Sequence, residues 1–328
     1  MKKTPLGVIL SLLLTSCVDP TADGNLVPRT VDGDPSLPRV ELNGTALHAE
    51  AFGDPLAPVV VVLHGGPGSD YRGMLRLRGP VDGVRLEDRH RVVFWDQRGS
   101  GLSRRHDPNQ LTQDVYEADL MAVLDHYAPA RRVVLMGHSW GGMYASLFIG
   151  RHPERIAGAV LIDAGPLTGA LFEEVKGGIQ ELDFGSEWLN DLTWGQAIVT
   201  PDGHARADYN RMLGALADSQ PRYHLSTADR EPAWRHGAIA NESLLKEVMS
   251  NGKAVWDFTK GLDRFQEPVL FVGGELNEVI GAGFQKRQMV FYPRAQLSVI
   301  AGAGHDLQWT HAEATLRPIV SYLAAIGF

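Results

Sequence analysis

The chain has 328 residues, 44% of them hydrophobic and 21% charged, enough for one large globular domain or one domain carrying an inserted subdomain. A formal net charge of −8 and the lack of a Lys/Arg cluster argue against a nucleic-acid partner. The sole cysteine, Cys17, excludes an internal disulfide.

In chain order, Lys2 and Lys3 precede the apolar run "PLGVILSLLL", which is too short for a stable bilayer span. "LTSC" follows, residues 14–17. It resembles the lipobox of bacterial lipoproteins, in which the cysteine becomes the lipidated first residue after cleavage. The resemblance implies a signal peptide over residues 1–17. It also implies a chain held by Cys17 to a membrane of the bacterial envelope, on the periplasmic side or at the cell surface. The competing reading is an ordinary secretory signal in which Cys17 has no part. Residues 18–38 hold four prolines and no apolar period, so a flexible tether is expected there.

From residue 39 apolar runs alternate with helical patterns. "LNGTALHAEAFG" (42–53) reads as two antiparallel edge strands. "PVVVVLHGG" (58–66), "HRVVFWDQ" (90–97), "RRVVLMGHS" (131–139), "IAGAVLIDA" (156–164), "EPVLFVGG" (267–274) and "AQLSVIAG" (295–302) read as strands. Continuous rather than alternating Val/Ile/Leu runs belong to strands buried on both faces, hence to a mostly parallel sheet flanked by helices. Leu120, Val123, Leu124 and Tyr127 fall on one helical face, with Asp114 and Glu117 expected to cap its start. A second helix is expected over 141–153. The alternation stops after Ala164. Residues 165–262 lack buried-strand runs, are helical in pattern, and contain Trp188, Trp194, Trp234 and Trp256. The fold class is therefore α/β, with a core of residues 39–164 and 263–328 and an inserted helical cap over 165–262. A cap so placed sits over the carboxyl ends of the strands, where open α/β sheets bind ligands.

"GHSWGG" (137–142) fits G-x-S-x-G between a buried strand and a helix. There a sharp turn projects Ser139 from the sheet, and Gly137 and Gly141 leave room for the backbone. His138 reads as packing. "HGGPG" (64–68) follows an earlier strand. The N–H groups of Gly66, with Gly65 second, and of Trp140 are the expected oxyanion-hole donors. "GAGHD" (302–306) sets His305 in a Gly-flanked loop after the last strand, suited to a general base.

These residues resemble the α/β-hydrolase superfamily and, through "HGGPG" and "WDQRGSGLS" (95–103), more narrowly the proline iminopeptidases. The resemblance implies the α/β-hydrolase fold and a Ser–His–acid hydrolase. It further implies release of an N-terminal residue, a helical cap, and neither metal nor other cofactor. Asp96 and Arg98 in "DQRG" are expected to form a structural ion pair. The cap departs from the family, because "PAWRHG" (232–237) puts Arg235 and His236 after Trp234, and none of Glu173, Glu174, Glu187, Asp191 or Glu242 is placed by a motif.

The triad acid is absent from its usual place, since "VGGELNEVI" (272–280) carries Asn277 there. Asp163, at the end of the strand after the elbow helix, is the first candidate, an arrangement that some haloalkane dehalogenases resemble. Glu278 is the alternative acid and Glu275 a weaker one, while Asp163 could instead cap its own turn. Asn277 would then orient the histidine or its loop. The expected activity is hydrolysis of a small ester, amide or N-terminal peptide bond of a small-molecule or short peptide substrate. Alternatives are a carboxylesterase with an apolar cap pocket, and a non-catalytic binding protein on the same scaffold. Ser139 disfavours the chemistry of dehalogenases and epoxide hydrolases, which look for Asp at the elbow.

Overall fold

The computed structural model describes residues 27–179, 202–217, 221–224 and 230–328. An eight-stranded sheet is built from β1 (Arg39–Leu42), β2 (Thr45–Phe52), β3 (Val59–Leu63), β4 (Arg91–Trp95), β5 (Val133–His138), β6 (Ile156–Ile162), β9 (Val269–Gly274) and β10 (Ala295–Ile300). A separate short hairpin, β7 (Met249–Ser250) and β8 (Lys253–Ala254), lies between β6 and β9 in the chain. The spatial order is β1-β2-β4-β3-β5-β6-β9-β10. Pairing is antiparallel at β1–β2 and β2–β4 and parallel from β4 to β10. Asn43 and Gly44, at φ 45° and 70°, make the tight β1–β2 turn.

Every residue of β3 and β5 is buried, as continuous apolar runs require. Fully burying one Val or Leu side chain contributes about 1.5–3 kcal/mol, so these central strands fix the sheet. Residues from Leu47 to Tyr292 form the core on one face, and a second cluster running from Val60 to Leu323 covers the other. Helix Gln113–Tyr127 is capped by Thr112, whose side chain accepts from Val115 N–H at 3.4 Å, rather than by Asp114 and Glu117. Both acids turn instead to Arg151 on the neighbouring helix. Among the described residues no helix is long and apolar enough to cross a membrane.

Two further expectations change. The segment from residue 27 to 38 is laid on the domain rather than extended as tether. Val31 is fully buried, its N–H donates to Leu102 O at 2.8 Å, and Asp32 pairs with Arg104. Val27 and Val31 gain more by burial than a solvated linker would, which anchors this stretch. Residues 1–26, with Cys17 and the start of the expected tether, lie outside the described residues. The "DQRG" ion pair also differs. Arg98 makes two 2.7 Å contacts with buried Asp119, while Asp96 pairs with His48 Nδ1 at 2.8 Å and accepts from the N–H groups of Tyr71 and Leu102. The turn thus crowds Asp96 against backbone donors and sends Arg98 to the opposite side.

The expected cap region leaves and re-enters the core at one point. Gly169 N–H donates to Trp256 O and Phe258 N–H to Leu167 O, with a bridge between Thr168 and Asp257. Its described helices are Gly169–Ile179, Gly203–Ala217, Pro221–His224 and Ala238–Val248. Asp208, fully buried, lies between Arg105 (2.9 Å) and Arg235 (2.7 Å) and ties the second helix to the core. Buried charges persist only when paired, which accounts for Arg235 after Trp234. Trp256 packs against Phe172 and Phe258, and Trp234 against His48 and Tyr71. Trp188, Trp194, Glu187 and Asp191 lie outside the described residues.

Candidate active site

At the end of β5 the chain reverses into helix Trp140–Arg151 through Ser139, at φ 54° and ψ −116°. A non-glycine residue at positive φ stores strain that the surroundings must hold. They hold it by close packing. A Cβ on Gly137 would lie 2.3 Å from Gly141 O, and one on Gly141 2.0 Å from Leu63 O. Ser139 N–H donates to Ile162 O, and Gly165 N–H returns to Ser139 O, both at 3.0 Å. Ser139 is half-buried while its neighbours are buried, so the turn presents this side chain.

The "HGGPG" loop passes beside it. A Cβ built on Gly65 would stand 3.4 Å from Ser139 Cβ. Gly66, at φ 115°, turns back on its own loop, where a Cβ would meet the nitrogens of Gly68 and Ser69 at 2.7 Å. Of the two candidate donors, Gly65 therefore lies against Ser139 and Gly66 shapes the turn. Trp140 opens its helix, and first-turn N–H groups have no partner within a helix, which leaves its N–H able to serve an anion.

His305 follows β10 and is 4% exposed. Its Nδ1 stands 3.6 Å from Asp163 Oδ2 and 3.4 Å from Asn277 Nδ2. Asp163 directly follows β6, at φ 37°, and is fully buried. It accepts from Gly274 N–H at 3.0 Å on Oδ1 and from Asn277 Nδ2 at 2.8 Å on Oδ2. Strands β6 and β9 are parallel neighbours, with Ile162 beside Val272, so their two end loops converge on the same point. Glu278 points elsewhere. It is exposed, accepts from Arg222 Nε at 2.9 Å, and donates its own N–H to Arg222 O. Glu275 is exposed and accepts from Gly302 N–H. Among the described residues neither is joined to His305.

Burial dominates the electrostatics. It pushes the Asp163 carboxyl well above the usual carboxylate range, against the lowering hydrogen bonds from Asn277 and Gly274. It pushes His305 down to about 3, with Asp306 opposing that shift and His224 adding to it. Asp306 binds His224 Nδ1 at 2.5 Å, and burial notwithstanding, that contact holds its carboxyl below the usual range. His138 is more than packing. Its ring lies 4.5 Å from that of His305, and its Nε2 is 3.0 Å from His305 O. A carbonyl only accepts, so Nε2 carries the proton, and Nδ1 is left to accept from Gln308 Nε2 at 3.3 Å. Glu231 lies 3.8 Å from the same Nδ1. Spacing along the chain could not reveal these neighbours, because His138 and His305 are 167 positions apart.

A family model described as alpha/beta hydrolase fold matches residues 58–312. Over 304 residues the chain is 23% identical to the proline iminopeptidase PfmaB of Pestalotiopsis fici, covering 87% of this chain and 98% of that protein. It is 26% identical over 297 residues to a 2-hydroxy-6-oxononadienedioate/2-hydroxy-6-oxononatrienedioate hydrolase of Cupriavidus pinatubonensis, covering 89% and 92% of the two chains. Among solved structures, the proline iminopeptidase of Mycobacterium smegmatis superposes with a TM-score of 0.61 at 19% identity, over 89% of this chain and 98% of that one. That likeness shows the shared fold.

Proposed function

The chain belongs to the alpha/beta hydrolase fold family, and on that premise we propose that it is a serine hydrolase cleaving a small ester, amide or N-terminal peptide bond through an acyl-enzyme. The observation that carries this reading is the convergence, at one end of the sheet, of the strained Ser139 turn with the His305–Asp163 pair.

Ser139 Oγ attacks the carbonyl carbon, and His305 Nε2 takes its proton and returns it to the leaving group. The N–H groups of Trp140 and Gly65 hold the oxyanion, and loss of one such donor typically costs about 3 kcal/mol. Asp163 stabilises the imidazolium. Its 3.6 Å separation from Nδ1 suits a resting site whose catalytic hydrogen bonds tighten with substrate bound. Water then hydrolyses the acyl-enzyme by the same proton path in reverse. The proline iminopeptidase relative favours N-terminal peptides. The alternative of a carboxylesterase is favoured by the cap, whose Arg235 is committed to Asp208. A non-catalytic binder is disfavoured because Asp163 stands where Asn277 cannot supply charge.

A fluorophosphonate probe tests the reading. Wild type should be labelled and Ser139→Ala should not; labelling of the variant, or none of wild type, would overturn it. Amino-acid β-naphthylamides against short-chain p-nitrophenyl esters then separate peptidase from esterase. We further propose that Cys17 carries a lipid that holds the domain at the envelope, on the strength of "LTSC" after a short apolar run. Cys17→Ser should release the protein from the membrane fraction or stop its processing; unchanged partition and processing would refute the anchor.

A further inference from the structure

We infer that Asn277 is a positioning residue whose hydrogen bond favours the charged form of Asp163 beside His305, and that its own position can carry the acid in exchange. The inference rests on the serine-hydrolase reading above.

The orientation of the Asn277 amide is settled by its surroundings. Its Oδ1 accepts from the N–H groups of Val279 and Ile280, each at 3.1 Å. These contacts leave Nδ2 facing inward with two protons. One goes to Asp163 Oδ2 at 2.8 Å, and the amide nitrogen stands 3.4 Å from His305 Nδ1, which carries the proton in the tautomer that leaves Nε2 free as base. The amide is 5% exposed. Asp163 therefore depends on two donors for its charge, the Gly274 backbone and the Asn277 side chain. A carboxylate in an apolar interior stays ionised only when such donors hold it. Removing one of them favours the protonated form, which cannot stabilise an imidazolium.

The same contacts are complementary under exchange. With Asp163→Asn and Asn277→Asp together, the amide oxygen at 163 still accepts from Gly274, and its Nδ2 donates to the carboxylate at 277. That carboxylate keeps one oxygen on Val279 and Ile280 and turns the other toward His305 Nδ1. Asp and Asn are isosteric, so volume is conserved at a fully buried position. The exchange moves the charge to the site 3.4 Å from Nδ1 without breaking a hydrogen bond.

Other titratable groups surround the pair. His305 and His138 are both pushed down to about 3 by burial and so stay neutral above that range. Asp306 is held ionised by His224 from the cap. Glu231, beside His138, is likewise pushed well above its usual value by burial. The test therefore compares variants that all retain Glu231.

Fluorophosphonate labelling rate is measured from pH 5 to 9 on the full chain, alongside thermal unfolding. Labelling of wild type but not of Ser139→Ala establishes the parent reading; if wild type is not labelled, that reading and this inference fall together. Given labelling, Asn277→Ala should move the acid limb up by about one pH unit and slow labelling roughly tenfold at pH 7, with the loss shrinking as pH rises. A purely structural role would lower the melting temperature and leave the limb in place, which overturns the inference. The exchanged pair Asp163→Asn/Asn277→Asp decides the matter if Asn277→Ala fails to fold. It should label at least tenfold faster than Asp163→Asn alone, and a rate no better than that single variant overturns the inference.

Discussion

The two halves of the site are held by different forces. Ser139 and the "HGGPG" loop beside it are fixed by backbone. Gly137, Gly141 and Gly142 each sit where a Cβ would collide at 2.5 Å or less with Gly141, Leu63 or Ala164. The His305 half is fixed by side chains, namely Asp163, Asn277 and His138, whose ring lies tilted against that of His305, all buried and mostly ionisable. The first half is a steric device and is indifferent to pH. The second is electrostatic, so it responds to pH, and its charge costs stability wherever burial is deepest. Under the proposed mechanism, packing would fix where attack occurs and polarity would fix how readily the proton moves.

The largest expected effect tests whether the electrostatic half depends on Asp163. Asp163→Asn should lower kcat about 10⁴-fold, as replacing a triad carboxylate by its amide does. Glu278→Gln, exposed and paired with Arg222, should stay within about twofold. Both are measured at constant folded fraction. A reversed ranking would put the acid on the loop after β9.

A smaller effect probes the steric half. Gly141→Ala sets a methyl 2.0 Å from Leu63 O and should destabilise by at least about 1–3 kcal/mol, read as a lower urea midpoint that is the same at pH 5.5 and pH 8. An unchanged midpoint would show that the elbow does not depend on close packing.

The smallest effect sharpens the contrast through pH. The folded state raises the Asp163 pKa above its unfolded value because burial penalises the charge. Its contribution to stability is complete below the unfolded value and is lost as pH rises through the folded one. Asn at 163 cannot ionise, so Asp163→Asn should gain stability over wild type as pH rises from 4 to 8, by about 1 kcal/mol. Parallel melting-temperature curves for the two proteins would mean that Asp163 carries no such burden.

The steric half was legible in one dimension. Six apolar runs match β3, β4, β5, β6, β9 and β10, and "GHSWGG" and "HGGPG" are local patterns whose geometry follows from adjacent residues. The sequence put Gly66 before Gly65, whereas Gly65 is the one that lies against Ser139, because which glycine faces it depends on how the loop turns and not on its composition. The electrostatic half was only partly legible. Asp163 could be named as a strand-end acid, yet Glu278 remained a rival because both follow adjacent strands. Arg98 pairing with Asp119 rather than Asp96 was invisible for a related reason. Asp119 lies on a helix, 21 positions away, and only packing brings it to the turn.

The sequence by itself determined the strands, the elbow and the candidate nucleophile, since hydrophobic period and glycine placement act over a few residues. Only the tertiary structure decided which carboxylate meets His305, that Asn277 supports it, and that His138 lies against the ring. Those contacts join residues 28 to 167 positions apart. Their pairing follows from strand order and from the cost of burying charge, neither of which is written in any local stretch of the chain.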